Sequence, residues 1–409
     1  MKFEDYRISE IIKANIAEMG FKRPTDIQYK SIPPILKRED VLAIAQTGTG
    51  KTAAFVIPVL QNLLKMGKPS SEHVQCVVMA PTHELAQQIT AVFHNFSKGL
   101  RIKTLCIHGG TNQDDQIRSL QQGIDVVVAT PGRLFDLRSQ GYLKLDQLKI
   151  LILDEADHML DLGFIKDIKD LLRFIPKKRQ TLFFSATINP KIKKLAYSIV
   201  KNPIRIQISP KDPVSKNVVH SIIHIEMDHK RFFLERIVND YPTSKILCFV
   251  RTKVRAERVK KAMARVDIVA ETIHSDKTDQ ERSSTMDAFK SGSLKLLIAT
   301  DISARGIDIP GVDIVVNYDL PEIAENYVHR VGRTGRGKLK GSAIAFCSPE
   351  EETLKEDIEL FLGKELTVQE IDHNTYSETV DFSLDATNDW KSLLENEEEF
   401  MKPKRKKRK

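Results

Sequence analysis

Short β-branched apolar runs alternate with longer amphipathic stretches along most of this chain. The first series falls at 41–45, 74–80, 103–108, 125–129, 149–154, 180–185 and 204–208. Each run is bounded by Gly, Pro or polar residues and is followed by a helical pattern. Near-continuous apolar strands separated by helices imply a parallel sheet covered on both faces. Residues 209–217, SPKDPVSKN, break the pattern with two prolines among polar residues and read as an interdomain linker. A second series follows at 219–227, 245–250, 267–274, 294–300, 312–318 and 341–347. The pattern predicts an α/β chain with two tandem parallel-sheet domains over 1–208 and 218–365. The apolar periodicity weakens after about Lys364. Residues 375–400 are polar and acidic, with only Trp390, Leu393 and Leu394 as obvious anchors. Residues 366–409 are therefore expected to form a flexible or loosely docked tail.

Composition narrows the class. Of the 409 residues 41% are hydrophobic and 29% charged, as in a globular protein with sizeable cores. No apolar run approaches the roughly 20 residues of a membrane-spanning helix. The start, Met1-Lys2-Phe3-Glu4-Asp5, has no basic-then-apolar leader. Cys76, Cys106, Cys248 and Cys347 stand singly in strand-like runs, without a Cys-x-x-Cys. They read as small buried hydrophobes in a reducing compartment, and neither a zinc site nor a disulfide framework is expected. Net charge is +8, yet seven of the last eight residues are basic; without them 56 basic residues face 55 acidic ones, a net of +1. A nearly neutral folded part gives no electrostatic argument for nucleic acid, so that argument rests on motifs.

Ala45-Gln46-Thr47-Gly48-Thr49-Gly50-Lys51-Thr52 follows the first expected strand and opens a helix, the context of a phosphate-binding loop. Gly48 and Gly50 allow backbone N–H groups to point at a β-phosphate, and the helix N-terminus adds partial positive charge. Lys51 can reach the β- and γ-phosphates and the Thr52 hydroxyl can ligate Mg²⁺. Ala45 stands where the strict pattern has Gly. The strand at 149–154 runs into Asp154-Glu155-Ala156-Asp157, and ligands of open α/β sheets bind at the carboxyl ends of strands. Asp154 can hold the other side of the Mg²⁺, and Glu155 can orient or deprotonate an attacking water. An acidic helix N-cap is the plainer reading of this spacing alone; beside a phosphate loop the nucleotide reading is favoured. The second domain lacks such a loop and offers His329-Arg330-Val331-Gly332-Arg333-Thr334-Gly335-Arg336. Its arginines read as a surface charge cluster or, facing an ATPase domain, as fingers that bind γ-phosphate oxygens during transfer.

The order Gln28 in GFKRPTDIQ, AQTGTGKT, PTHELA, Gly109-Gly110, TPGR, DEAD, Ser185-Ala186-Thr187, ATDISARGID and HRVGRTGR resembles that of DEAD-box ATP-dependent RNA helicases across about 3–365. The short architecture, the FVRTK segment at 249–253 and the basic tail are most similar to the bacterial RhlE-like branch. The resemblance implies two tandem RecA-like domains that use ATP and Mg²⁺ and bind RNA without reading its sequence. Phe21 would stack on adenine and Gln28 would hydrogen-bond its edge; read from residue type alone, Phe3 and Phe21 are packing residues. Ser185, Thr187 and His329 would couple the nucleotide and RNA sites. Asp308 would contact the ribose, with Arg333 and Arg336 as the fingers. Pro81, Thr82, Gly109, Gly110, Thr130 and Arg133 would line the RNA backbone in the first domain. Thr252, Thr300 and Gly306 would do so in the second, with Arg251 and Arg282 nearby. Hydroxyls and backbone N–H groups bind phosphate and 2′-OH without reading bases.

The sequence departs from the family at three places. His83 replaces the Arg of Pro-Thr-Arg-Glu-Leu-Ala, Ser275 the Gly of His-Gly-Asp, and Asp279 the Gln of Gln-x-x-Arg. An imidazole at 83 would be a weaker phosphate or carboxylate partner than Arg; the other two changes fall on the second domain's expected RNA face, and they put RNA affinity and unwinding in question while leaving the ATPase assignment intact. Two other readings stay open: a DNA-directed superfamily 2 translocase, and an ATP-dependent RNA clamp in a ribosome-assembly or RNA-degradation complex. A monomeric core without membrane attachment is expected. The branch resemblance implies a bacterial cytoplasm; in a eukaryote the basic tail would read as a nuclear-import signal.

Overall fold

The structure is a computed structural model that describes residues 2–46, 48–67, 73–208, 214, 217–301, 311–335, 340–381 and 383. The chain divides into two compact units near residues 215–216. Most of the expected linker lies outside the described residues.

The first unit opens with α1 (Glu10–Glu18) and α2 (Asp26–Leu36). There follow β1 (Val41–Ile44), α3 (Lys51–Met66), β2 (Cys76–Met79), α4 (His83–Phe96), β3 (Thr104–Ile107) and α5 (Gln113–Gln121). The unit continues with β4 (Val126–Ala129), α6 (Pro131–Ser139), β5 (Ile150–Leu153), α7 (Ala156–Asp161) and α8 (Ile165–Phe174). It closes with β6 (Gln180–Ser185), α9 (Pro190–Ile199) and β7 (Ile204–Gln207). The strands form one parallel sheet in the order β3-β4-β2-β5-β6-β1-β7. β1, β2, β4 and β5 are buried throughout, whereas the edge strands β3 and β7 are only partly covered. Alternate side chains feed two cores. Val41, Ala43, Val78 and Phe184 pack on one face with α1 to α4, and Leu42, Val77, Leu151 and Phe183 on the other with α6, α8 and α9. This double burial explains why the strands read as continuous apolar runs.

The second unit holds β8 (Val218–His224), α10 (Lys230–Asp240), β9 (Ile246–Val250), α11 (Lys253–Arg265), β10 (Ala270–Ile273) and α12 (Asp279–Ser291). It continues through β11 (Leu296–Thr300), β12 (Ile314–Asn317), α13 (Ala324–Val331), β13 (Gly341–Cys347), α14 (Glu352–Leu362), β14 (Thr367–Val368) and α15 (His373–Asp381). Its sheet is also parallel, in the order β10-β11-β9-β12-β13-β8-β14. Two parallel α/β sheets in tandem bear out the expected architecture. Among the described residues, no helix is long and apolar enough to cross a membrane.

The second unit extends past the expected tail boundary at 365. β14 pairs with β8, and Gln369 N donates to Ile222 O at 2.8 Å. The Tyr376 ring on α15 lies 5.0 Å from that of Phe233, and its hydroxyl is 2.9 Å from His229 Nδ1. Arg236 Nη1 donates to Thr379 Oγ1 at 2.6 Å. The docking rests on Tyr376, Ile371 and polar contacts, too few apolar positions to leave a periodicity to read. Trp390 and the basic run lie outside the described residues.

A buried charge pair ties the second unit together. Lys230 and Glu351 are fully buried and in direct contact, and Lys230 Nζ also donates to Tyr318 O at 2.8 Å. Glu351 accepts further from Leu320 N at 3.1 Å, Ser348 N at 3.2 Å and Arg251 Nη2 at 2.6 Å. Burial pulls the Lys230 ammonium pKa down while the Glu351 charge pushes it back up. Lys230→Met is expected to destabilise the second unit by roughly 3 kcal/mol, because it removes the buried cation beside Glu351 and leaves that carboxylate only Arg251 and backbone donors. Adding Glu351→Gln should recover part of that loss. Chemical denaturation of the single and double variants is the check, and a single variant within 1 kcal/mol of the parent, by the same reckoning, would refute it.

Candidate functional site

Because β1, β6 and β5 are neighbours, the loops after Ile44, Ser185 and Leu153 leave the carboxyl edge of the first sheet side by side. In the loop between β1 and α3, Gly48 and Gly50 have φ of 80° and 92°, a backbone region costly for residues with a Cβ. A Cβ on Gly50 would also come within 2.5 Å of Gln28 Nε2. The loop is braced from α2: Thr25 Oγ1 donates to Thr49 O at 2.8 Å and Gln28 Nε2 to Gly50 O at 3.1 Å. Gln28 Oε1 accepts from Thr25 N at 3.0 Å, closing a capping box, so Gln28 is buried with both ends of its amide engaged. Phe21 is partly buried, edge-on to Phe96 at 5.6 Å and to Phe3 at 6.3 Å. Thr49 Oγ1 donates to Gln46 O at 2.7 Å. Lys51 and Thr52 open α3, and the Lys51 ammonium is buried with no hydrogen-bond partner among the described residues. Thr47 lies outside them.

Asp154 follows β5, is 2% exposed, and accepts from Glu155 N at 3.0 Å. Glu155 takes φ 50° and ψ 50°, a left-handed conformation that costs a non-glycine residue free energy and that packing must hold. His158 Nδ1 lies 3.6 Å from its carboxylate. Asp157 reaches across to the loop after β6, where Oδ2 accepts from Ala186 N, Thr187 N and Thr187 Oγ1 at 3.1, 3.0 and 3.2 Å. Ser185 Oγ donates to Thr187 O at 2.8 Å.

Farther along the same edge, Pro81 is buried at the end of β2, and Thr82 caps α4 by accepting from Leu85 N at 3.3 Å. Thr130 sits at the N-cap of α6. After β3 come Gly109 and Gly110, the latter at φ 76°, and Arg133 Nη2 donates to Thr111 O at 3.4 Å. His83 stacks on His108 with ring centroids 4.8 Å apart and lies against Gly109.

In the second unit, Thr252 caps α11 by accepting from Arg255 N at 3.1 Å, and Thr300 ends β11. Arg251 is 30% exposed and anchored to Glu351. Arg282 lies one turn into α12, behind the capping box of Thr278 and Glu281. His274 Nε2 lies 2.8 Å from Glu257 Oε1, and Ser275 Oγ contacts Asp276. His329 belongs to α13; Arg333 follows it, buried, with Nε donating to His329 O at 3.2 Å. Gly306, Asp308 and Arg336 lie outside the described residues, as does the side chain of Asp279.

The DEAD/DEAH box helicase family model matches residues 25–195, and the helicase conserved C-terminal domain matches 229–338. The ATP-dependent rRNA helicase RRP3 of Candida glabrata is 40% identical over 369 residues, which cover 90% of this chain and 74% of the relative. The chain belongs to the DEAD-box ATP-dependent RNA helicases. The ATP-dependent RNA helicase CshA of Listeria monocytogenes is 39% identical over 86% of this chain and 66% of its own length. Saccharomyces cerevisiae Dbp5 bound to RNA and ADP BeF3 superposes with a TM-score of 0.83 at 30% identity, over 93% of this chain and 99% of that one. Mss116 bound to ssRNA and UDP-BeF gives 0.82 at 27% identity, over 96% and 84%. None of these relatives bears an RhlE name, so they lend the finer branch resemblance no support.

Within this DEAD-box chain, the structure brings Gln46, residues 48–52, Asp154, Glu155, Ser185 and Thr187 to one edge. It also adds residues that sequence reasoning passed over. Asp157 joins the DEAD segment to Thr187, a role hidden behind its more obvious neighbours. Buried Arg330 forks onto Asp301, Nε to Oδ1 at 2.5 Å and Nη2 to Oδ2 at 2.8 Å. Its Nη1 reaches Asp319 O at 2.6 Å, so this arginine braces the second unit from inside. Both signals lay within quoted motifs; a bidentate partner cannot be read from spacing. The Glu351 hub had no motif at all.

Burial raises the Asp154 carboxyl to about 6; the Lys51 charge opposes the shift and Glu155 adds to it. An unfolded Asp titrates near 3.9. The folded acid therefore keeps its proton longer, and its ionisation costs stability that is absent below about pH 4 and complete above about pH 6, by up to roughly 3 kcal/mol. In metal-free buffer, Asp154→Asn is expected to be more stable than the parent at pH 8 and to converge with it near pH 4. Urea denaturation across that range with a chelator present provides the test. A constant offset at every pH would remove the burial argument.

Proposed function

We propose that the chain couples ATP binding and hydrolysis to the binding, local unwinding and release of RNA, with the phosphate loop and the DEAD segment as its catalytic centre. The observation that carries this reading is the buried Lys51 ammonium without a hydrogen-bond partner among the described residues, beside a buried Asp154 whose carboxyl burial pushes up to about 6. A phosphate chain satisfies the first and a hard cation the second, so the residues fit ATP and Mg²⁺. Thr52 and Asp154 would hold the Mg²⁺, which screens phosphate charge. Lys51 and the N–H groups around Gly48 and Gly50 grip the β- and γ-phosphates. Glu155 orients the attacking water and accepts its proton. Arg333 and Arg336 donate to the γ-phosphate as negative charge develops, a role supported by the family resemblance. Phe21 and Asp308 hold base and ribose on the same ground. Gln28 retains one N–H and one lone pair for the adenine edge.

RNA lies along Pro81, Thr82, Gly109, Gly110, Thr130 and Arg133 in the first unit and Arg251, Thr252, Arg282, Thr300 and Gly306 in the second. Threonine N-caps at α4, α6 and α11 support this, since helix N-termini favour phosphate. Asp157 links Thr187 to the catalytic carboxylates and passes nucleotide state toward RNA; His329 joins that relay. The RRP3 name supports ribosomal precursor RNA as substrate. A cytoplasmic, monomeric core remains part of the same reading, with the basic run as a sequence-independent RNA tether.

The direct test is ATP turnover with single-stranded RNA or DNA added, together with unwinding of a short RNA duplex. RNA stimulation with ATP-dependent strand release supports the reading; equal or stronger stimulation by DNA favours a DNA translocase. Glu155→Gln is expected to bind ATP normally, to lose turnover by orders of magnitude and to retain RNA longer in ATP. Turnover within twofold of the parent would rule out the role of Glu155. His83→Arg replaces a ring that packs on Gly109 with a permanent cation. It should tighten RNA binding several-fold and steepen the salt dependence by about 0.7 in log affinity per log salt, for one added phosphate contact. An unchanged slope would place residue 83 off the RNA path.

A further inference from the structure

We propose that His224, Cys347 and Glu352 form a zinc site in the second unit. The sequence offered no sign of it, because His224 is far from Cys347 and Glu352 in the chain and no cysteine is paired with another. The fold brings them together. β8 and β13 are parallel neighbours in register, and His224 stands directly opposite Cys347 at their carboxyl ends. Ile223, Ile225 and Phe346 point into the core on one face, so alternation sends both donors to the other. A short 3₁₀ turn at Pro349–Glu351 then brings Glu352, the first residue of α14, over the pair.

One imidazole nitrogen, one thiol sulfur and one carboxylate oxygen make a mixed donor set of the kind that suits a borderline-soft, tetrahedral ion. Glu352 Oε1 lies 3.0 Å from His224 Nδ1 and 3.7 Å from Cys347 Sγ. The three donor atoms all fall within 4.8 Å of one another. Zinc bonds of about 2.0–2.3 Å set tetrahedral edges of about 3.3–3.6 Å, so a small approach of His224 toward the thiol completes the face. Its side chain is 46% exposed, which leaves room for that approach and a path for the ion, whereas Cys347 is fully buried. Water or the second Glu352 oxygen, now 3.3 Å from Lys355 Nζ, fills the fourth position.

Metal binding has a proton cost here. Burial and the neighbouring carboxylates of Glu352 and Glu351 push the Cys347 thiol up to about 12, with Lys230 acting the other way. Zinc must displace that proton into solvent as the Zn–S bond forms, one proton per ion. An occupied site would fasten the ends of two neighbouring strands to the first turn of α14, beside the Glu351 hub.

The test is titration of the full chain with Co²⁺, then Zn²⁺. One equivalent of Co²⁺ should give a thiolate-to-cobalt charge-transfer band and tetrahedral visible bands, both removed by Zn²⁺. Cys347→Ser should abolish the charge-transfer band. Exposed His224→Ala, which carries little risk to folding, should weaken Zn²⁺ binding at least tenfold, and Cys347→Ser should release about one proton fewer per ion in unbuffered titration. Thermal stability of the parent should rise with Zn²⁺, and that of His224→Ala should not at the same concentration. The proposal is overturned if no charge-transfer band appears at one equivalent, or if both variants titrate like the parent.

Discussion

A buried ammonium and a buried carboxylate, neither fully satisfied by protein, set the terms for the first unit. Lys51 opens the helix that follows β1 and Asp154 follows β5, two strands separated only by β6, and each pays for removal from water. Apolar residues there would make a more stable fold, since buried charge rarely improves stability by itself. The arrangement makes sense as a cradle whose missing partners arrive with the substrate. It needs a stiff floor, and the doubly buried parallel sheet supplies one. The phosphate loop can follow a glycine-only path because α2 holds it from behind through Thr25 and Gln28.

The same logic recurs at the connections. Asp157 spends one carboxylate oxygen on three donors from the segment after β6, so the DEAD turn and that segment move together or not at all. Glu155 sits between them in a left-handed conformation, held there by what flanks it. In the second unit, buried arginine and lysine do the bracing: Arg330 locks Asp301 to the end of β12, and Lys230 with Glu351 fixes the strand ends that present Arg251. Charged groups inside both units are oriented by backbone carbonyls and N–H groups, a rigid frame compared with side-chain pairs on a surface.

Much of this was legible beforehand. Every expected strand is present, because strands buried on both faces leave an unbroken apolar run. The loop at 46–52 and the DEAD segment were legible through glycines and carboxylates whose spacing fits phosphate. Other features depend on contacts between distant positions. Gln28 was expected at the adenine edge, and that its amide also engages Thr25 and Gly50 could not be read from the motif. Glu351 and Asp301 stand in no recognisable spacing with Lys230 and Arg330. β14 and α15 were obscured because two strand residues, Ile371, Tyr376 and a few polar contacts suffice to dock them.

That last attachment changes what an isolated second unit could be. β8 would be the edge strand if the chain stopped before β14, exposing unpaired backbone groups beside Val219, which is 72% exposed. Unprotected edges of that kind invite pairing with other chains. The two residues of β14 cover part of this margin, and α15 pins the cover to α10. The segment after 365 therefore works as a selvedge, a finished border that keeps a parallel sheet from being extended by a neighbouring molecule.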